Sequence, residues 1–277
     1  MKPNDKVTYW RDPQIEGIEI CRVDESQHVF PDHAHDGIYA IGLMESGGSY
    51  CRGPHKSDSL VAPGQIALIN PGQVHSGVPV CGKRISYRMI YFDLELMMSA
   101  ATDIYRRLPV TPEFPSMVVD DPLLWRRLQR LCRVLQGTGG RLEKESAIMD
   151  SVAALIPHYR PLTSIRSAGH SGEKSIRRAM AYLSENLDQK RSLESVARAA
   201  GLSRYHFLRV FKRETGLSPH LFRTLRRIDR AKQLVCSGTA LAEAALMVGF
   251  SDQSHFTNTF RKYTGATPGQ YLAESRP

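Results

Sequence analysis

Side chains that can bind a nucleic acid share one face of a predicted helix. Tyr205, Leu208, Arg209 and Lys212 are spaced i, i+3, i+4 and i+7, and Arg204 precedes them. An arginine can pair with guanine O6 and N7, a leucine can contact the thymine methyl group, and a tyrosine can contact a base or a phosphate. The spacing therefore predicts a helix that reads DNA, although each residue could instead be an ordinary solvated side chain.

A second predicted helix carries a weaker set of the same kind. Its outward residues are Gln253, Ser254, Thr257, Asn258 and Arg261, and Lys262 follows them. Glutamine and asparagine side chains can pair with adenine, whereas Arg261 and Lys262 are better suited to hold phosphates. We expect this helix to contact DNA less selectively than the first.

Both helices belong to one motif that occurs twice. Gly201 and Ser203 recur 48 positions later, and Phe207 recurs 49 positions later. Each copy contains a short Ala-rich helix, a turn with glycine and a longer helix, which is the pattern of a helix-turn-helix. We predict these motifs at about 192–213 and 240–263, with one residue added in or just after the second turn.

Local signals position the helices of the repeat. Ser192, Ser203 and Ser251 are placed to cap helix N-termini. A connecting helix over 219–237 would be roughly 28 Å long, and successive major grooves on one face of DNA are about 34 Å apart. Its basic residues are expected near phosphates or in solvent; they are Arg223, Arg226, Arg227, Arg230 and Lys232.

The net charge of +9 is concentrated in the segment that contains the repeat. Residues 1–167 contain 19 basic and 19 acidic residues, whereas residues 168–277 contain 18 basic and 9 acidic residues. This asymmetry favours a polyanionic partner, namely double-stranded DNA.

Other features indicate the cellular setting. The five cysteines are odd in number and have no CxxC spacing, so we expect neither a disulfide framework nor a cysteine zinc site. The N-terminus lacks the apolar core of a signal peptide, and no apolar run approaches the 18 residues of a membrane span. We expect a cytoplasmic protein with no membrane partner.

The N-terminal half has a different periodicity. Short strand-like segments at 38–44, 65–69 and 85–93 alternate with turn signals, which predicts a small β-barrel or sandwich. Helical spacing follows at 96–108, 122–136 and 142–159. These helices could cover the barrel, pair with a second subunit, or do both.

A Ser-, Gly- and Pro-rich segment separates the two halves. It is followed by a predicted helix at 175–187. We predict a sensing and dimerisation domain at 1–165, a linker at 166–174 and a DNA-binding domain at 175–277.

The C-terminal hundred residues closely resemble the AraC/XylS family of bacterial transcription regulators. The resemblance is carried by residues 201–219, the segment RRIDRA at 226–231, and most strongly GFSDQSHFTNTFRKYTGATPGQY. It implies a seven-helix domain with two helix-turn-helix motifs joined by a long helix. It also places base-reading sites at Tyr205, Leu208 and Arg209 and at Gln253, Ser254 and Asn258. Some relatives have arginine at the position of Asn258, and this chain departs from them there by lacking the side chain that pairs with guanine.

The first 165 residues resemble, less specifically, the cupin-like sensor domain of such regulators. His33-x-His35 and His75 match two metal-binding cupin motifs, but the expected glutamate is replaced by Tyr39 or Ala40. We therefore expect no metal and no other cofactor, and we expect the histidines to line the barrel mouth or to satisfy local hydrogen bonds. The predicted effector-binding residues are His33, His35, Tyr39, Tyr50, Arg52, His75, Arg88 and Tyr91.

These observations predict an α+β protein of two domains, a cupin-like β-barrel with following helices and an all-α domain of seven helices. The predicted function is sequence-specific transcription regulation, as an activator, under control of a small-molecule effector in the barrel. We expect a homodimer that contacts RNA polymerase and is not an enzyme, since no nucleophile–base pair or phosphate-binding glycine loop is present. Two alternatives stay open: a metal-dependent cupin enzyme fused to a DNA-binding domain, and a DNA-bending protein that ignores ligands.

Overall fold

A computed structural model describes residues 6–52, 58–105, 111–161 and 171–273. The chain divides into two compact units: the described residues up to 161, together with Ala273, belong to the first, and residues 171–272 belong to the second. Within the described residues, no helix is both long enough and apolar enough to cross a membrane.

The first unit is built around antiparallel strands. Their bounds are β1 Lys6–Trp10, β2 Ile18–Ser26, β3 Phe30–His33, β4 Ile38–Ser46, β5 Ser49–Arg52, β6 Asp58–Val61, β7 Ile66–Ile69, β8 His75–Pro79, β9 Ile85–Asp93, β10 Pro112–Glu113, β11 Val118–Val119 and β12 Arg160–Pro161. One sheet has six strands in the order β1-β2-β9-β4-β7-β11, and a second has four in the order β3-β8-β5-β6. Strands β10 and β12 form a separate pair.

The two large sheets pack face to face. Met44 and Ala67 of the six-stranded sheet join Cys51 and Val61 of the four-stranded sheet in one buried cluster. The predicted strands at 38–44 and 85–93 are confirmed as parts of β4 and β9, and β7 begins one residue later than predicted.

Three helices cover the other face of the six-stranded sheet: α1 Leu94–Tyr105, α2 Pro122–Gln136 and α3 Arg141–Leu155. The large core between them includes Ile41 and Phe92 of the sheet with Leu128 and Val152 of the helices. The predicted helix at 122–136 is confirmed, whereas that at 142–159 ends early in a short 3-10 turn, Ile156–His158, that contains a proline. Part of the helix predicted at 96–108 lies outside the described residues.

The second unit contains seven helices among the described residues. Their bounds are α4 Ser171–Ser184, α5 Leu193–Ala200, α6 Arg204–Thr215, α7 Pro219–Cys236, α8 Leu241–Met247, α9 Gln253–Thr264 and α10 Pro268–Ala273. Helix α4 begins inside the predicted linker, so the prediction for 171–174 is wrong; residues 166–170 lie outside the described residues.

Candidate DNA interface and histidine cluster

The first helix-turn-helix is formed by α5 and α6, and side chains within it fix both helix starts. Ser192 accepts a hydrogen bond from the Ser195 amide at 3.0 Å, and Ser203 accepts one from the His206 amide at 3.4 Å. Gly201 ends α5 with a φ of 69°, a left-handed conformation that glycine adopts without strain. The predicted capping residues of this copy are confirmed.

The second motif, formed by α8 and α9, differs at its turn. Asp252 caps α9 by accepting a hydrogen bond from the His255 amide at 2.7 Å, while Ser251 donates to the other carboxylate oxygen of Asp252 at 2.8 Å. The predicted cap at Ser251 is therefore wrong. The added residue lengthens the turn, and a carboxylate is a strong acceptor at the positive end of a helix.

The longer helices of the two copies have the same construction. Helices α6 and α9 each have 12 residues, and each ends at a glycine with left-handed backbone, Gly216 or Gly265. Thr215 donates to the Phe211 carbonyl at 2.7 Å, and Thr264 donates to the Phe260 carbonyl at 2.9 Å. The repeat therefore extends from sequence to individual hydrogen bonds.

Each of these helices buries aromatic residues on one side. Phe207 and Phe211 of α6 are fully buried, with ring centroids 5.3 Å apart. Phe256 and Phe260 of α9 are likewise buried, with ring centroids 5.5 Å apart. These contacts fix which side of each helix faces outward.

The predicted DNA-binding residues of α6 are all exposed. Tyr205 is 78% exposed and Leu208 is 40% exposed. Arg204, Arg209 and Lys212 are exposed, and none makes an ion pair with a residue that the structure describes. Their charges are available to an external partner.

On α9 the predicted residues Gln253, Ser254, Asn258 and Lys262 are exposed, and Arg261 is half-buried. The matching helix bounds make Asn258 equivalent to Arg209 and half-buried Thr257 equivalent to Leu208. The prediction placed Thr257 on the outward side but did not include it among the DNA-binding residues, although the 49-residue offset of the phenylalanines pairs it with Leu208.

Arginines of α7 that were predicted near phosphates or in solvent instead have an internal role. Arg223 is buried and donates to the carbonyls of Leu183 at 2.6 Å, Asn186 at 2.8 Å and Gln189 at 2.8 Å. Burial is the main cause of its lowered pKa. This arginine satisfies the backbone of the segment between α4 and α5.

Arg227 binds the same segment through the Leu187 carbonyl at 3.0 Å. The turn of the second motif also packs there. A β-carbon added to Gly249 would collide with the Leu187 carbonyl and lie 2.6 Å from Arg227 and 2.9 Å from the Asp188 Cα. Only glycine fits at this turn, where φ is 86°.

The first unit contains a compact cluster of three histidines. His33 and His75 are directly opposed on the antiparallel strands β3 and β8, and both are buried. Their ring centroids are 4.1 Å apart, and the ring of half-buried His35 lies 5.0 Å from His33 and 5.2 Å from His75. One nitrogen from each of the three rings lies within 4.8 Å of the others.

Hydrogen bonds and burial define the state of these rings. The Nδ1 atom of His33 donates to the Pro31 carbonyl at 2.8 Å, and that of His75 donates to the Gln73 carbonyl at 3.0 Å. Burial lowers the pKa of His75 to about 4, so this ring is neutral at pH 7. Tyr91 packs edge-on against His35 at 5.4 Å, and burial raises its pKa.

Two predicted effector residues lie on the face of the six-stranded sheet that is opposite the histidine cluster. Tyr39 is fully buried in the core beneath the helices, and its hydroxyl donates to the Pro112 carbonyl at 2.5 Å. Arg88 shares a strand face with Ile90, because side chains alternate along a strand, and its Nε lies 3.0 Å from a carboxylate oxygen of Glu45. The prediction that these two residues line one pocket with the histidines is wrong.

Two further predicted residues point away from the space between the sheets. Tyr50 and Arg52 are exposed and alternate with buried Ser49 and Cys51 along β5. Arg52 forms a surface ion pair with Asp58 at 3.0 Å. Of the predicted set, the structure brings together His33, His35, His75 and Tyr91.

Comparison with known proteins identifies both halves of the chain. A family model described as an AraC-like ligand binding domain matches residues 16–152, and one described as a helix-turn-helix domain matches residues 196–274. An uncharacterized helix-turn-helix transcriptional regulator of Bacillus subtilis, YbfI, is 30% identical over 254 residues, covering 91% of this chain and 90% of its own. The virulence regulon transcriptional activator VirF of Yersinia enterocolitica is 26% identical, covering 91% and 95% respectively.

Solved structures have the same fold at low sequence identity. Apo ToxT K231A from Vibrio cholerae has a TM-score of 0.61 and 12% identity, with 95% of this chain and 99% of that chain covered. A ToxT structure with a bound unsaturated fatty acid has a TM-score of 0.59 and 13% identity, with 96% and 97% covered.

Proposed function

Because this chain belongs to the AraC/XylS family of transcription regulators, we propose that it activates transcription from specific DNA sites under control of a small-molecule effector. The observation that carries this proposal is the pair of helix-turn-helix motifs, built alike down to the threonine bonds that close α6 and α9. Each motif presents one helix whose aromatic side is buried and whose other side is polar and exposed.

The proposed base readers lie in the first half of each recognition helix, and such helices contact base edges through their N-terminal residues. In α6 they are Tyr205, Leu208 and Arg209, and Arg209 is the strongest candidate because a guanidinium can bind guanine through two hydrogen bonds. In α9 they are Gln253, Ser254 and Asn258, whose amides suit adenine. Uncharged side chains on α9 support the proposal that it selects sequence less strongly than α6.

The remaining basic residues of these helices are proposed to position the protein on the phosphates. They are Arg204, Lys212, Arg261 and Lys262. Contacts of this kind fix register and supply affinity that depends on salt, but they carry no sequence information directly.

The connecting helix sets the proposed spacing of the two motifs. Helix α7 has 18 residues, which corresponds to about 27 Å at 1.5 Å per residue. Two recognition helices at its ends can enter adjacent major grooves, about 34 Å apart along one face of DNA, if the duplex bends towards the protein. Sequence-dependent bending would then add to the selectivity of the base contacts.

We propose the histidine cluster and Tyr91 as the effector site. His33, His35 and His75 come together beside Tyr91 and form a polar cluster on the strands of the first unit. Relatives named as transcription regulators support a role in binding rather than catalysis. An effector regulates DNA binding only if it has different affinities for two arrangements of the protein.

The proposed assembly is a cytoplasmic homodimer that contacts RNA polymerase. Exposed apolar side chains on α2 and α3 support a subunit contact: Leu123 is 55% exposed, Leu142 is 78% exposed, and Met149, seven residues after Leu142 on the same helix, is 37% exposed. Sedimentation of the full chain tests the dimer, and Leu142→Glu should shift the population towards the monomer.

Selection of binding sites from random duplexes, with the full chain, tests the DNA-binding proposal. We expect enrichment of two half-sites on one face of the helix, and protection of both in a footprint. If no sequence is enriched over random DNA at any salt concentration, the chain is not a sequence-specific regulator.

A further inference from the structure

Two rings of the histidine cluster are fixed in the same tautomer. In His33 and His75 the Nδ1 atom bonds the backbone carbonyl two residues earlier, at 2.8 Å and 3.0 Å. A carbonyl can only accept, so each Nδ1 bears the proton, and in the neutral ring Nε2 carries the lone pair. Histidines that bind metals are oriented in this way, with one ring nitrogen on a carbonyl and the other on the metal.

The separation of the rings suits a single metal ion. With Zn–N distances of about 2.0–2.1 Å and tetrahedral angles, the centroids of two imidazole ligands lie about 5.2 Å apart. The observed centroid separations are 5.0 Å for His33–His35, 5.2 Å for His35–His75 and 4.1 Å for His33–His75. Two pairs therefore have the required spacing, and the third needs to open by about 1 Å.

The backbone that carries the rings is braced. His33 and His75 occupy paired positions of β3 and β8. The Gly72 amide donates to the His35 carbonyl at 2.7 Å, which ties the turn before β8 to the segment after β3. Gln73 accepts from the amide of Asn70 at 3.0 Å within the same turn. The two segments that supply the rings are thus joined before any ligand binds.

We propose that His33, His35 and His75 together bind one divalent transition metal ion of the zinc class. Imidazole suits zinc, copper, iron and nickel, whereas magnesium and calcium require oxygen ligands. Three protein ligands leave a fourth position for water or for an oxygen donor of a small molecule. The sequence favoured hydrogen-bonding roles because the expected glutamate is missing, but a tetrahedral ion does not need that fourth protein ligand.

This proposal adds a metal ion to the effector site proposed above. Metal binding does not depend on that proposed function, but an effect of the metal on DNA binding does. If the metal alone changes the affinity for DNA, the metal is the effector. An oxygen-containing effector would instead complete the coordination and act through the bound ion.

Metal binding to the full chain provides the test. Protein stripped with a chelator and reloaded with Zn²⁺ should hold one equivalent by elemental analysis, and Co²⁺ should give the strong visible absorption of a tetrahedral site. His35→Gln and His75→Gln should each weaken zinc binding by about 100-fold or more, because even outer partners of metal ligands contribute 10- to 100-fold. His28→Gln, in the same unit but outside the cluster, is the matched control and should bind normally.

Absence of stoichiometric zinc in the wild-type chain, or equal weakening by His28→Gln and His75→Gln, overturns the proposal. Circular dichroism of each variant separates lost ligands from lost folding, and His35→Gln changes a half-buried ring rather than a fully buried one. The zinc measurement requires no DNA, and the site selection requires no metal readout, so each proposal can fail alone.

Discussion

Replacing Arg209 by alanine should weaken specific DNA binding and relax the choice of one base pair. Arg209 is exposed and makes no ion pair with a described residue, so its removal should change the free energy of unfolding by no more than about 0.5 kcal/mol. Any larger effect on binding therefore comes from the interface. A bidentate contact to guanine contributes about 1–3 kcal/mol of discrimination, which corresponds to about 5- to 150-fold in affinity.

The measurement is fluorescence anisotropy on the selected site and on every single-base variant of one half-site. Wild-type protein should discriminate strongly at the position that Arg209 reads, and Arg209→Ala should bind all four bases there almost equally. Discrimination at the remaining positions should persist, because separate contacts contribute roughly additively.

The matched control is Arg213→Ala on the same helix. Arg213 is also exposed, but it forms an ion pair with Glu214 at 2.6 Å and lies in the last turn, away from the end that is proposed to enter the groove. This variant should retain the wild-type preference. If Arg209→Ala has the same site preference as wild type and loses no more affinity than Arg213→Ala, Arg209 acts only through its charge and the assignment of a base reader is wrong.

Three further predictions concern the same unit. Gly249→Ala should lower the free energy of unfolding in urea by at least about 2 kcal/mol, because the added carbon clashes and the backbone is left-handed. Gly238→Ala should lower it by about half as much, because φ is 93° there but no atom lies within 4 Å of the added carbon. If both variants lose the same stability, the clash at Gly249 has no role. Asp252→Ala should lower stability by about 1 kcal/mol while Ser251→Ala has a smaller effect; the reverse order would restore the serine as the cap. The logarithm of DNA affinity should fall with the logarithm of salt concentration with a slope of roughly −4 for about four phosphate contacts, and a flat response would contradict the charge argument.

The helix-turn-helix repeat could be predicted from sequence because its signals are local. Ser192 and Ser203 cap helices within three residues of themselves, and Gly201 ends the helix that it follows. The buried phenylalanines recur at helical spacing, so the outward residues follow by elimination. One inserted residue was enough to move the second cap from Ser251 to Asp252, which sequence alignment of the two copies could not resolve.

The candidate effector residues were harder to predict because β4 is buried on both faces. Residues 39–44 are all buried, since helices cover one side of the sheet and a second sheet covers the other. The sequence of β4 therefore does not alternate between apolar and polar residues. Without that alternation, the sequence does not show that Tyr39 lies on the face away from the histidines. The role of Arg223 was equally hidden, because its carbonyl partners come from residues 183–189, far earlier in the chain.

The contacts of Arg223, Arg227 and Gly249 with residues 183–189 have a consequence for the shape of any operator. The segment leading into the first motif is bonded to the connecting helix through Arg223 and Arg227, and the turn of the second motif is fitted against it at Gly249. A change in the distance between the two proposed recognition helices would disturb these contacts, so we expect that distance to vary little. The duplex must supply the adjustment, and a single base pair inserted between the half-sites, which rotates one of them by about 35°, should be tolerated far less well than a changed base within either.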